Sequence, residues 1–378
     1  MKSAPICIDG DFPGGNIVVD RIVGDEVFVH QDLRDTEGDW FYWCFRVRGA
    51  RGRRLRFRFT ASLAIGVRGP AVSLDAGETW GWLGHDTEPN AFSYEFADSA
   101  DEVRFSFGMP YQAARWEAFI AARTGNPLLA TGELCRTPKG RPVEMARFGC
   151  LARPPAHQVA LACRHHCCEM MADYALEGVV DFVLADPSPA AAWLRDNVEF
   201  LAVPFIDKDG VEDGDQGKNR RPRDHGRDYA GDSLYAAPRA LRRLLSEWSQ
   251  GRLAATVDLH CPWIHGLHNE VVYLVGTDSP GVAAEQQRFS RLLEQVCRGP
   301  LPFRADDFLP FGAEWNTDAN YAAGDTLSRW SAQTLGVRLA TGIELPYANV
   351  AGATVDQKTA RAFGPDLARA LAAYLGKA

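Results

Sequence analysis

Three short segments of this chain carry residue types able to hold and use a metal ion. His166 and Glu169 stand three residues apart in HCCE, and a histidine and a carboxylate at that spacing can face the same way across one helical turn. Alone the pair says little, because an HxxE on an exposed helix is usually an ordinary polar pair. His260 ends the apolar run AATVDLH, and the carboxyl end of a strand is where open α/β sheets present ligand-binding groups. A lone histidine there is more often structural. Glu344 follows another apolar run in LATGIELPY, where a carboxylate is commonly a solvated rim residue. Taken together, two histidines and a glutamate form one of the donor sets of catalytic zinc, with a fourth position kept for water. The metal lowers the pKa of that water to about 7, and a carboxylate such as Glu344 then takes its proton and passes it to a leaving amine. His165 competes with His166 as first donor, but it lies four residues from Glu169.

The elements that must position these residues fall into two groups. Residues 16–108 contain short runs, NIVVDRI, EVFVHQD, WFYWCFRVRG, LRFRFTAS and EVRFSFG, separated by Gly, Asp and Pro. Several alternate apolar and polar side chains, the signature of half-buried strands. They predict a small antiparallel β-sandwich over residues 1–108. After a short helix in PYQAARWEAF, strands alternate with helices, which predicts an α/β layer domain over residues 109–378. HQVALACR reads as a strand. The segment after it reads as a helix with Met171, Tyr174, Ala175, Gly178, Val179 and Phe182 on one face. A helix capped by Ser188 then leads into a buried strand, FLAVPFI. Residues 239–248 and 284–297 read as amphipathic helices, AATVDLH and EVVYLVG as strands, and the C-terminal stretch as a helical segment broken around Gly364 and Pro365. The fold class expected is a mixed sheet with helices on both faces, preceded by the sandwich.

Composition narrows the function classes. The 378 residues are 46% apolar, enough for a large core, and the formal net charge is −8. An acidic balance lacks the basic footprint of nucleic-acid binding. No run approaches the roughly 20 apolar residues of a membrane-spanning helix, since FVLA at 182–185 is closed by Asp186 and Pro187. The N-terminal residues hold no apolar stretch of signal-peptide length, so the expectation is a cytoplasmic protein with neither nucleic acid nor membrane as partner. Nine cysteines are scattered through the chain. Cys163, Cys167 and Cys168 cluster, but no CxxC pair has a second, so buried free thiols are expected.

At these motifs the chain resembles the zinc metallocarboxypeptidases, and among them the cytosolic carboxypeptidase branch. CRHHCCEMMADYALEGVVDF at 163–182 is similar to the family's HxxE and following helix, IDKDGV at 206–211 to its NPDGV, and DHGR at 224–227 to its DLNR. DLH at 258–260 matches the strand of the third ligand, and GIELPY at 342–347 the catalytic-glutamate segment. WFYWCFRVRGARGRRLRFR at 40–58 and FSFGMPYQAARWEAF at 105–119 resemble the β-sandwich domain that precedes the peptidase domain in that branch. The resemblance implies one zinc ion held by His166, Glu169 and His260, with Glu344 as general base and then acid. It implies that Asp224 hydrogen-bonds the free nitrogen of His166, that Arg227 grips the terminal carboxylate of a peptide or protein substrate, and that Arg220, with Arg221 as competitor, stabilises the oxyanion. It further implies Arg329 near the floor of the pocket for the departing residue, favouring an acidic one, and Tyr321 as a cap over the substrate.

The sequence departs from the family at Gly226, where an asparagine usually helps to hold the carboxylate. His225, Asn219 or a water are the candidates to replace it. That departure keeps open a zinc-dependent amidase or deacylase acting on a small N-acyl or cell-wall peptide compound. A non-catalytic zinc- or peptide-binding module is the third reading, and the presence of Glu344 argues against it.

Overall fold

The computed structural model of the chain describes residues 5–84 and 88–376. Residues 1–4 of the N-terminal segment and the last two residues of the expected C-terminal helix lie outside the described residues.

Nine strands come first: β1 (Cys7–Asp9), β2 (Val18–Val23), β3 (Glu26–His30), β4 (Cys44–Arg48), β5 (Arg54–Phe59), β6 (Ala71–Ser73), β7 (Gly81–Trp82), β8 (Ala91–Glu95) and β9 (Glu102–Ser106). They form a five-stranded sheet in the order β1-β4-β9-β6-β7 and a four-stranded sheet in the order β2-β3-β5-β8. All neighbours are antiparallel except β3 and β5, a parallel pair within the otherwise antiparallel arrangement expected. In β5, RLRFRF buries Leu55, Phe57 and Phe59 and leaves its arginines toward solvent, as a half-buried strand must. Phe45, Phe57, Phe92 and Phe105 fill the space between, with ring centroids 4.8–5.6 Å apart.

Helix α1 (Ala113–Ala121) and the hairpin β10 (Leu129–Arg136) and β11 (Pro142–Gly149) lead to β12 (His157–Cys163), α2 (Met171–Ala185), α3 (Pro189–Asn197), β13 (Val198–Val203) and α4 (Lys208–Asp213). Then come α5 (Ala236–Ser249), β14 (Leu253–His260), β15 (Tyr273–Val275), α6 (Pro280–Val296), α7 (Leu327–Leu335), β16 (Leu339–Glu344) and α8 (Gln357–Leu375). Seven strands make one mixed sheet, β10-β11-β13-β12-β14-β16-β15, whose four central strands run parallel. Central parallel strands are covered on both faces. Val159, Leu161 and Cys163 of β12 join the cluster under α2, α3, α6 and α8, while Ala160 and Ala162 join the one under α5 and α7.

Two expectations change. Helix α2 buries nearly its whole circumference, because it lies between the sheet and α8. The C-terminal segment is one continuous helix, not a broken one, with Pro365 inside it. Proline lacks the N–H that would bond the Arg361 carbonyl, and that carbonyl lies against Gly178 of α2, where a Cβ would come within 2.0 Å of it. At Gly364 a Cβ would meet the Ala175 carbonyl at 2.3 Å and the Val179 nitrogen at 2.4 Å. The two helices approach backbone to backbone through these glycines, and the contact carries α8 across its proline.

Candidate metal centre

β12, β14 and β16 end side by side, so the residues at or just beyond their carboxyl ends share one rim. His260 and Glu344 are register partners on β14 and β16. The chain leaves β12 through Arg164, in the left-handed region at φ 59°. His166 and Glu169 sit in the tight turn that follows, before α2 begins. Arg164 holds this turn from beneath: it is fully buried, its Nη1 donates to Asp173 Oδ2 at 2.7 Å and to the Tyr111 carbonyl at 2.9 Å, and its Nε donates to the Cys167 carbonyl at 2.8 Å.

Donor atoms of His166, Glu169 and His260 all lie within 4.8 Å of one another. His166 Nδ1 is 2.9 Å from Glu169 Oε1, and His260 Nδ1 is 2.8 Å from Glu169 Oε2. The other ring nitrogens face carboxylates, His166 Nε2 to Asp224 Oδ1 at 3.6 Å and His260 Nε2 to Asp258 Oδ2 at 2.8 Å. Outer carboxylates of this kind fix ring orientation and raise ligand basicity. Burial works against charge on Glu169, yet His166, Lys218 and His260 outweigh it and hold the carboxyl well below its usual range. Burial likewise opposes protonation of His260, and Asp258 with Glu169 overcomes it, raising the imidazole well above its usual value. Two imidazoles and a carboxylate facing inward, each anchored from behind, fit a divalent cation such as zinc.

His165, Asp258 and His260 form a second cluster of possible donors. His165 is spent otherwise: it is fully buried, with Nδ1 2.8 Å from Asp258 Oδ1 and Nε2 2.7 Å from the Tyr229 hydroxyl. His166, Glu169 and His260 line a cavity of about 610 Å³, and His165 does not. Glu344 lines it too. Its Oε2 is buried without a hydrogen-bond partner among the described residues, and burial pushes the carboxyl above the usual glutamate range.

The basic residues expected in the site reach the same cavity with different freedom. Arg220 is held by Asp207 at 2.7 Å, Asp215 at 3.2 Å and Asp35 at 3.3 Å. Arg221 is largely exposed and pairs with Glu37. Arg223 pairs with Asp228 at 2.8 Å. Arg329 is shared by Asp278 at 2.8 Å and Asp325 at 3.6 Å. Arg227 has no ion pair within 4.0 Å among the described residues; its Nε donates to the Asn320 carbonyl at 2.9 Å. Tyr321 lies between Arg227 and Arg329, 5.4 and 4.5 Å from its ring centre, and donates to Asn316 Oδ1 at 2.9 Å. At Gly226 a Cβ would stand 3.1 Å from His166 Nε2 and 3.2 Å from Asp224 Oδ1, so any side chain there crowds that pair.

Two further polar residues, Asp258 and Lys218, contact this centre. Asp258 was visible in DLH, two residues before the candidate donor His260 on a strand and therefore on the same face. Lys218 offered no motif. Its Nζ is 2.7 Å from Glu169 Oε1 and donates to the Cys261 carbonyl at 3.1 Å. Burial pushes the nearby Cys168 thiol up to about 12 and raises Cys163 and Cys167 well above the usual thiol range.

No protein-family model matches the chain. It is similar to the metallo-carboxypeptidase of Burkholderia cenocepacia at 20% identity and a TM-score of 0.81, covering 99% of this chain and 100% of that one. A metallo-carboxypeptidase from Pseudomonas aeruginosa, solved with (2-guanidinoethylmercapto)succinic acid, is similar at 20% identity and a TM-score of 0.77, covering 98% and 99%. In sequence it is 25% identical over 264 residues to mouse cytosolic carboxypeptidase 2, covering 59% of this chain and 30% of that one. The chain spans about half or less of the length of the curated relatives it matches. Over its described length, the chain has the fold of the metallo-carboxypeptidases.

Proposed function

We propose that the protein is a zinc-dependent metallocarboxypeptidase that removes the C-terminal residue of a peptide or protein. The observation that carries this reading is the meeting of three donors, His166, Glu169 and His260, with the unpartnered buried carboxylate of Glu344 at one cavity wall. When bound, a zinc ion supplies a Lewis acid for the scissile carbonyl and lowers the pKa of water to about 7. Glu344 takes the proton of the attacking water and delivers it to the departing amine. Asp224 and Asp258 keep the two imidazoles oriented. Arg227, the cavity arginine without a carboxylate partner among the described residues, is suited to a substrate's terminal carboxylate, which a planar guanidinium meets in a fork.

The side-chain pocket draws on Val275, Gly276, Thr277, Ser328, Arg329 and Gly342. A preference for acidic terminal residues rests on Arg329. Because Asp278 and Asp325 already share that cation, an incoming carboxylate must displace one of them. Peptides ending in Glu and in Gln measure the outcome: faster release of Glu, abolished by Arg329→Ala, supports the preference, and equal rates remove it.

The deciding experiment is digestion of a C-terminally diverse peptide library, zinc-loaded and chelated, read by mass spectrometry. Wild type should shorten a subset of peptides by one residue only when metal is present, and Glu344→Gln should shorten none. If wild type leaves every peptide intact, the reading fails. Hydrolysis of a small N-acyl amide without peptide trimming would favour the amidase reading that Gly226 motivates.

A further inference from the structure

We propose that Lys218 is the cation that meets the developing negative charge on the scissile carbonyl oxygen, and that residues 35–42, in the loop between β3 and β4, hold it in place. The inference rests on the metallocarboxypeptidase reading and names which cationic side chain at the site serves it. An ammonium has three donors. Two of those on Lys218 have acceptors among the described residues, Glu169 Oε1 at 2.7 Å and the Cys261 carbonyl at 3.1 Å, which leaves one for an oxygen in the cavity that Lys218 lines. Arg220 has no such freedom. Its guanidinium spans Asp207, Asp215 and Asp35 together. Moving it to a substrate would take that shared cation from three largely buried carboxylates, of which Asp215 alone keeps another guanidinium, that of Arg34, a costly state.

The backbone around Lys218 is built to present it. Gly217 is left-handed at φ 77° and Asn219 at φ 50°, conformations that glycine adopts freely and asparagine tolerates. A Cβ at Gly217 would come within 2.4 Å of the Cys167 nitrogen, so only glycine lets this loop lie against the metal-ligand turn. The connection between β3 and β4 then fastens the Lys218 loop. Asp35 accepts from the Gln216 and Gly217 N–H groups at 3.0 and 2.9 Å, the Thr36 hydroxyl donates to the Lys218 carbonyl, and Gln216 Nε2 donates to the Tyr42 carbonyl at 2.8 Å. The Trp40 ring faces the ammonium, with its centre 5.5 Å from Nζ, inside cation–π range.

In the reaction, a water oxygen bonds to the carbonyl carbon and the carbonyl π pair moves onto its oxygen, where the Lys218 N–H meets it. When the C–N bond breaks, that pair returns to re-form the carbonyl, and Glu344 passes the water-derived proton to the amine. Lys218 keeps its own proton throughout. Removing a single donor of this kind costs about 10²–10³ in kcat.

The test uses the full zinc-loaded chain as wild type, Lys218→Met, Lys218→Gln, Lys218→Arg and Arg220→Met, on the peptide shortened fastest in the library. Calorimetric binding of a phosphinic dipeptide, a tetrahedral anion, and zinc content by mass spectrometry are read alongside. Lys218→Met and Lys218→Gln should keep one zinc, lose about 10²–10³ in kcat with little change in KM, and lose phosphinic affinity in parallel, while Lys218→Arg recovers part of both. The proposal is overturned if both variants stay within threefold of wild type in kcat and phosphinic affinity. It is equally overturned if only zinc affinity changes, or if folded Arg220→Met loses the phosphinic anion while Lys218→Met keeps it. Should wild type shorten no peptide, the carboxypeptidase reading fails, and phosphinic binding still decides the role of Lys218.

Discussion

At the scale of single residues, the proposed function separates groups that hold a metal from groups that react. Glu344→Gln keeps shape and removes the base, so kcat should fall by about 10²–10⁴ with zinc retained, as peptide kinetics and metal analysis can check. The same carboxyl sets a pH limit. A base must be deprotonated, and burial raises Glu344 above the ordinary glutamate range. Activity should therefore be present at higher pH and be lost on acidification as this carboxyl is protonated, a limb that a kcat/KM profile locates. Asp258→Asn removes the carboxylate behind His260 and should weaken zinc about 10–100-fold, measured by competition with a chelator. His166, Glu169, His260 and Glu344 were legible as motifs because each ends or follows a recognisable apolar run. Lys218 was not, since nothing about a lysine in a Gly-Lys-Asn loop distinguishes it from a solvated one until the loop is folded against Cys167.

At the scale of elements, the metal-ligand turn depends on a buried ion pair and α8 depends on two glycines. Arg164→Met leaves Asp173 buried without its partner and the Cys167 carbonyl without its donor, and should cost about 3–5 kcal/mol in chemical denaturation, with zinc binding lost alongside. Gly364→Ala drives a methyl group into the backbone of α2 and should cost about 1–3 kcal/mol or more, read the same way. Alternation in β5 and the apolar runs of β12 and β14 made the strands readable. The break expected at Pro365 was a sound local inference that tertiary packing overrides, because α2 supplies contacts that no local preference reports. The short strands β6 and β7 escaped notice for a related reason: two or three residues are too few to show a period, and they are strands only through their neighbours.

At the scale of the whole molecule, one hydrophobic cluster runs from Val27 in the N-terminal sheets to Leu375 in α8. Trp40 packs on Trp263 with ring centres 4.9 Å apart, and Phe41 meets Trp263 and Tyr347 at 5.1 and 5.5 Å. A chain starting at residue 109 should therefore fail to give a folded, zinc-binding protein, as circular dichroism and metal analysis would show. Asp35→Asn in the full chain is the milder probe, expected to lower kcat while the fold persists. The strands of the N-terminal sheets were readable from their spacing, but the contact of this part with the Lys218 loop was not, because Thr36 and Lys218 are 182 positions apart. Glu37 and Trp40 lie on the cavity wall, so the loop between β3 and β4 contributes to the cavity itself. On the proposed reading, a chimera that joins this mixed sheet to another protein's sandwich would inherit all three candidate donors and Glu344 and still be inert, unless residues 35–42 travel with it.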